Sequence, residues 1–275
     1  MAVGRRLAAV VVMAVALPAC SQPSSRQPIP GACTSFAVVS SDPEDGAQQL
    51  PIDTPVSLTF SDFPDPETVD LGTVLLSSGA QTRLGSFRVD LLTRSIRFQI
   101  RNLLSPDLTY MMTVLSDVRS LQGCAAKVDQ RTFRTGEGRT DPPPPPAPIP
   151  SFTGDVLPIF AARCAGAGCH RDTASPGGSG GCLATPARNL SLCDEQAWLA
   201  LVDVPALELA GIRRVAPGDA SRSFLMRKLI PRDSPAGAGG GPLPTTPGHR
   251  DPPDAPLSDV QLRLISDWID SGAAR

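Results

Sequence analysis

Histidine is almost missing from this chain: 275 residues carry two, His170 and His249. Tyrosine occurs once, tryptophan twice, and aromatics make up 4% of the whole. Two imidazoles leave no spare general base for a Ser/His/Asp arrangement, and no glycine-rich stretch follows a strand and opens a helix as phosphate cradles do. The residues therefore do not describe a hydrolase or a dehydrogenase. A basic excess is lacking too. With 25 Lys and Arg against 27 Asp and Glu the formal charge is -2, and no basic stripe stands out, so nucleic acid is not an expected partner. Beyond the N-terminus no segment is apolar enough to span a bilayer. What the chain does have is 30 prolines, 24 glycines and seven cysteines.

The N-terminus reads MAVGRRLAAVVVMAVALPACSQPSS. Arg5 and Arg6 form a positive start, and Leu7 to Leu17 an apolar run too short to span comfortably, which is the pattern of a signal peptide. Leu17-Pro18-Ala19-Cys20 resembles the lipobox of bacterial lipoproteins. That resemblance implies a signal peptide over 1–19, cleavage before Cys20, acylation of Cys20, and anchoring to a membrane through the lipid. Ser21 in place of Asp resembles the outer-membrane sorting signal, so the expected location is the outer membrane, facing periplasm or cell surface. Six cysteines remain after Cys20, an even number in an oxidising compartment.

The run DPPPPPAPIP at 141–150 cannot build a core and favours polyproline II. At about 3.1 Å per residue it predicts a semi-rigid spacer holding its neighbours roughly 30 Å apart. The expected organisation is a tether over 20–33, a first domain over 34–138, a Pro-rich linker over 139–151 and a second domain over 152–275. Residues 173–186 and 233–256 read as loops.

Before the linker the apolar residues alternate. Val56, Leu58 and Phe60, then Ile96, Phe98 and Ile100, then Tyr110, Met112 and Val114 each mark a half-buried strand. With Ala37–Val39, Thr73–Leu76, Phe87–Val89 and Arg131–Arg134 the count reaches about seven, as in an immunoglobulin-like sandwich, and Leu104-Ser105-Pro106 ahead of Tyr110 suits a tyrosine corner. SDPEDGAQQLPIDTPVSLTFSD, residues 41–62, resembles the opening of bacterial Ig-like domains of the SbsA type, and the likeness runs through FRTGEG near residue 138. It implies a spacer or binding module without catalytic residues. Cys33 and Cys124 flank the sandwich, and a disulfide between them is expected.

After the linker the period changes to that of helices. Thr153 is read as the cap of a helix containing Val156, Leu157, Ile159 and Phe160, which would deliver Cys164 at its end. Asp194 and Asp219 are read as caps of two more. Ser258 and Gln261 form a capping box for the last, whose stripe Leu262, Ile265, Trp268 and Ile269 ends at Gly272. Such a domain has a thin core, which a buried cofactor would complete.

Residues 164–170 read CAGAGCH. Two thiols on a short spacer followed by histidine is the chemistry of covalent haem attachment, usually C-x-x-C-H; here the spacer has four residues, two of them glycine. Two other readings stand beside it. One is zinc, drawing on Cys164, Cys169, His170, Cys182, Cys193 or His249, although Cys182 and Cys193 lack the short pairing of zinc knuckles. The other is a plain Cys164–Cys169 disulfide with His170 idle.

DVLPIFAARCAGAGCH, RVAPGDASRSFLMRKL and PLSDVQLRLISDWIDSGA resemble, in that order, the periplasmic c-type cytochrome domains of planctomycete and myxobacterial type. The resemblance implies a small all-α cytochrome c-like domain with covalent haem c, thioethers at Cys164 and Cys169, and His170 as the proximal ligand. Cys182 and Cys193 are then left to close a loop as a disulfide. The family's distal Met-Pro is replaced here by Gly241-Pro242-Leu243-Pro244, and leucine cannot ligate iron. His249 could replace it, Met226 could supply sulfur, or the distal side could be open. The implied function is membrane-anchored electron transfer with redox protein partners. The alternatives are a haem-free structural or binding lipoprotein and an open-site sensor of small gases.

Overall fold

The computed structural model describes residues 35–82, 85–140, 148–164, 170, 186–231 and 256–275. The signal peptide, Cys20, Cys33, Cys169, Cys182, Leu243, His249 and most of the proline run lie outside those residues.

The first module is an all-β sandwich of nine strands: β1 (Val38–Asp42), β2 (Ala47–Leu50), β3 (Val56–Phe60), β4 (Val74–Ser78), β5 (Gln81–Thr82), β6 (Gly85–Asp90), β7 (Ser95–Ile100), β8 (Thr109–Val114) and β9 (Asp129–Thr135). One sheet has the order β1-β3-β7-β6 and the other β2-β9-β8-β4-β5. All pairings are antiparallel except β2 with β9. The alternating residues named above point inward: Val56, Leu58, Phe60, Ile96, Phe98, Tyr110, Met112 and Val114 are all buried. The seven expected strands are present, and β2 and β5 are additions at sheet edges. Neither carries an apolar alternation: AQQL offers only Ala47 and Leu50, half-buried against the core, and QT is exposed.

The tyrosine corner is formed: Ser105 N donates to the Tyr110 hydroxyl at 2.8 Å, and Tyr110 is fully buried. Two matching clips join the turns on either side of β2 to β9 and the chain after it. The Asp45 carboxylate accepts from both the amide and the hydroxyl of Thr132, and that of Asp53 does the same with Thr140.

The second module shows a few short helices: α1 (Leu157–Arg163), α2 (Ala197–Leu201), α3 (Phe224–Leu229) and α4 (Asp259–Asp270). A π-helical turn over Phe152–Val156 leads into α1. Its cap is Ser151, whose hydroxyl accepts from Gly154 N, rather than Thr153, and Pro158 occupies the first turn of α1, where its missing amide costs nothing. Ser223 stands at the N-cap of α3, while Asp219 instead accepts from Ser221 and Arg222 in the turn before it. At α2 the carbonyl of Cys193 receives the amides of Gln196 and Ala197. The α4 capping box is present as read, and the stripe Leu262, Ile265, Trp268 and Ile269 is buried. The helix stops where Gly272 adopts φ +107°, a left-handed value that suits glycine. Phe152 packs on Trp268 with ring centroids 5.1 Å apart, joining the π-helical turn to α4.

The 30 Å separation expected of the spacer is not what the two modules adopt. Arg88 of β6 pairs with Asp270 of α4 at 2.7 Å, Asp90 with Arg263 at 2.7 Å, and Arg222 with Glu67 at 2.8 Å. The modules are docked. A polyproline run fixes the reach of a linker, not the direction it takes, and opposite charges on the two facing surfaces draw them together.

Candidate functional site

Cys164 closes α1: its amide donates to Phe160 O at 2.8 Å, and its side chain is half-buried against the core. Six residues on, His170 is also half-buried. Its backbone carbonyl accepts from Leu192 N at 3.0 Å, and its ring Nδ1 lies 3.0 Å from the Leu190 carbonyl. A carbonyl oxygen only accepts, so Nδ1 carries the proton and, in the neutral ring, Nε2 holds the lone pair. Ligating histidines adopt this arrangement because the second nitrogen's hydrogen bond fixes both tautomer and ring orientation.

The segment that supplies Leu190 O is itself held. Arg188 and Asn189 both sit at φ +53°. The buried Arg214 guanidinium donates to Arg188 O at 2.7 Å, Asn189 O at 3.2 Å and Ala200 O at 2.7 Å. Burial lowers the Arg214 pKa from its ordinary value, and Glu208 opposes that shift. Sequence reading missed Arg214. Its neighbour Arg213 is chemically identical but half-exposed, and the partners of Arg214 are backbone carbonyls distant in the chain, which leave no sequence signal.

Cys193 follows Leu192 directly and is disulfide-bonded, as is Cys124 at the sandwich's edge. The predicted partner of Cys124, Cys33, lies outside the described residues. However, Phe36 bridges Ala126 in parallel, which runs the chain just after Cys33 alongside that just after Cys124. Met226 is buried in α3 as part of the core, at 1% exposure. Among the described residues no three of His, Cys, Asp and Glu converge in a way that could hold a metal ion, and no helix is long and apolar enough to cross a membrane. A cavity of about 660 Å³ lies at the junction of the modules, lined by Leu92, Ile149, Asp155, Val260, Leu264 and Asp267 among others. Its described lining includes no cysteine or histidine.

The sequence profile of the bacterial Ig-like domain matches residues 32–135, so the sandwich is a bacterial Ig-like domain. No curated protein matches the chain. Among solved structures, an S-layer protein, SbsC, is similar at 15% identity over 42% of this chain, with a TM-score of 0.31, and this chain spans 14% of that structure. CopC from Methylosinus trichosporium OB3b is similar at 12% identity, covering 38% of this chain and 97% of its own, with a TM-score of 0.32. The native conformation of E. coli alpha-2-macroglobulin is similar at 18% identity over 38% of this chain and 6% of its own, with a TM-score of 0.31.

Proposed function

We propose that the chain is a membrane-anchored monohaem c-type cytochrome, in which an Ig-like domain carries a haem domain for periplasmic or cell-surface electron transfer. One observation carries the reading: the Leu190 carbonyl holds the proton on Nδ1 of His170 and leaves Nε2 as the donor nitrogen. Cys164 and Cys169 would hold the porphyrin through thioethers, and His170 would ligate the proximal face. His249 is the distal candidate, with Met226 behind it because it is already enclosed by the core. Haem c bound there would supply a one-electron iron couple. The protein's part is to fix the ring of His170, limit water and set the donor strength of the ligand. Cys20 would carry the lipid anchor to the outer membrane, and the partners would be redox proteins.

A second reading, a haem-free structural or binding lipoprotein, is favoured by one feature. Trp268, Ile265 and Ile269 are fully buried, and Trp268 packs on Phe152, so side chains alone close that part of the core. The two readings part on the absorption spectrum of the protein matured with a cytochrome c assembly system. It would be recorded as isolated, reduced, and reduced under carbon monoxide, with a haem stain on a denaturing gel. Covalent haem is the expected result. No carbon monoxide shift would indicate a closed distal side, and a ready shift an open one suited to small gases. A protein that never takes up haem would leave the structural reading.

A further inference from the structure

We propose that Arg214 is a positioning residue for His170, acting through the backbone of residues 188–190. The inference rests on the haem reading only in calling His170 a ligand; the coupling between Arg214 and the imidazole does not depend on it.

Arg214 is 8% exposed and gives its Nη1 and Nη2 protons to three main-chain carbonyls: Arg188, Asn189 and Ala200. It is not free to choose other partners. Its own amide donates to Val204 O and its carbonyl accepts from Leu225 N, so both neighbouring strands of chain fix its Cα. Two of its three acceptors belong to residues that L side chains adopt reluctantly, the left-handed pair Arg188 and Asn189. A consecutive pair in this region persists only where the surroundings over-determine it, and the planar fork of arginine does so by collecting both carbonyls at once. Leu190 is the next residue, and its carbonyl is the one that receives His170 Nδ1 at 3.0 Å. The left-handed pair sets where the Leu190 peptide lies. Without the fork, relaxation of residues 188 and 189 moves the Leu190 carbonyl, and Nδ1 loses the acceptor that fixes its proton.

Charge supports the same direction. Burial disfavours the Arg214 cation, yet among the described residues no carboxylate is hydrogen-bonded to it, and Glu208 acts on it only at a distance while pairing with Arg188 at 3.4 Å. A buried guanidinium satisfied by carbonyls alone serves to fix backbone.

The test is ring-nitrogen NMR of His170 in the full, disulfide-intact, haem-free chain, in a His249→Gln background that removes the other imidazole. The parent should show the Nδ1–H tautomer as its dominant neutral form. Arg214→Met should lose that dominance, and in the haem-loaded protein its reduction potential should rise, because an Nδ1–H···O bond makes the ligand a stronger donor. Arg214 is buried, so its variant could fail to fold, which near-ultraviolet dichroism of Trp198 and Trp268 would reveal. Asn189→Val then decides. That side chain is exposed, and a β-branched residue opposes the left-handed conformation without disturbing the core. Asn189→Gly, which accepts φ +53°, should retain the parent tautomer. A folded Arg214→Met or Asn189→Val with the parent tautomer unchanged would overturn the proposal. Failure of every variant and the parent to take up haem would overturn the cytochrome reading instead, while the tautomer measurement still judges Arg214.

Discussion

Arg88 Nη1 and the Asp270 carboxylate lie 2.7 Å apart, joining a strand of the Ig-like sandwich to the last helix of the second module. Two residues along β6, Asp90 meets Arg263 of α4 at the same distance. Residues i and i+2 share one face of a strand, and residues seven apart share one face of a helix. Strand and helix therefore present opposite charge orders, plus-minus against minus-plus, and fit each other in one direction only.

Docking should weaken with salt. The pairs are partly exposed, so each contributes at most about 0.2–1 kcal/mol. Among the described residues no strand packs broadly against a helix. Arg227, buried near Asp65 and Glu67, leaves its Nε without a hydrogen-bond partner among the described residues, which costs about 1–3 kcal/mol and offsets part of the gain. Raising salt from about 0.1 M to about 1 M shortens the Debye length from about 10 Å to about 3 Å. Small-angle scattering of the full chain should then show a larger maximum dimension, and Arg88→Glu should show it already at low salt. Identical profiles under all three conditions would mean that apolar contacts, not charges, hold the modules together.

The sandwich should be acid-sensitive through its two clips. Hydrogen bonds from the Thr132 and Thr140 amides hold the carboxyls of Asp45 and Asp53 below the ordinary aspartate value of 3.8. A depressed folded pKa makes the stabilisation complete above the unfolded value and lost as pH falls through the folded one. The clip contribution should fade below about pH 3.8, and Asp45→Asn/Asp53→Asn should remove that slope from the unfolding free energy. In the second module Asp267 and Asp270 run the other way. Burial raises both, so the ionised forms are disfavoured there and acidification relieves that cost. An unchanged acid slope in the double variant would show that the clips do not titrate with unfolding.

These relationships divide into what local sequence can show and what it cannot. Tyr110 and the stripe of α4 were legible because each signal is short-range: a Tyr a few residues after Ser105, and apolar residues at helical spacing behind Ser258 and Gln261. Strand β2 was not, because Ala47–Leu50 is held by pairing to β9, some 85 positions away, and its own residues carry no period. At α3 Ser223 takes the N-cap position without a side-chain cap bond, its hydroxyl donating to Asp219 O, while the Asp219 carboxylate accepts from Ser221 and Arg222. The candidate site was legible as CAGAGCH, but its support was not. Leu190 O and Arg214 act through main-chain geometry, which side-chain identity does not encode.

Tyr110→Phe should cost about 1–2 kcal/mol by urea unfolding, since it leaves the Ser105 amide without its acceptor while preserving the ring's stacking on Phe133 at 5.5 Å. The slope of free energy against urea should not change, because the sandwich exposes the same surface on unfolding. A cost near zero would mean that water reaches Ser105 N in place of the hydroxyl.

Disulfide mapping bears most directly on the cytochrome reading. Cys193 is disulfide-bonded, and covalent haem needs both Cys164 and Cys169 to arrive at the porphyrin as thiols. Digestion of the oxidised chain without reductant should yield peptides linking Cys33 to Cys124 and Cys182 to Cys193. The backbone bond from Leu192 N to His170 O makes the outcome a real contest, because Cys193 follows Leu192 and Cys169 precedes His170 in the chain. A Cys169–Cys193 peptide would take a thioether position out of reach and remove the basis for haem attachment. With the expected pairing, Cys124→Ser should destabilise the sandwich by about 4–5 kcal/mol, the loop-closure value for a bridge spanning close to 100 residues, and leave haem attachment untouched. Cys193→Ser would test the other bridge. It loosens the segment carrying Leu192 and, through it, the carbonyl of His170, so its effect should fall on the second module alone.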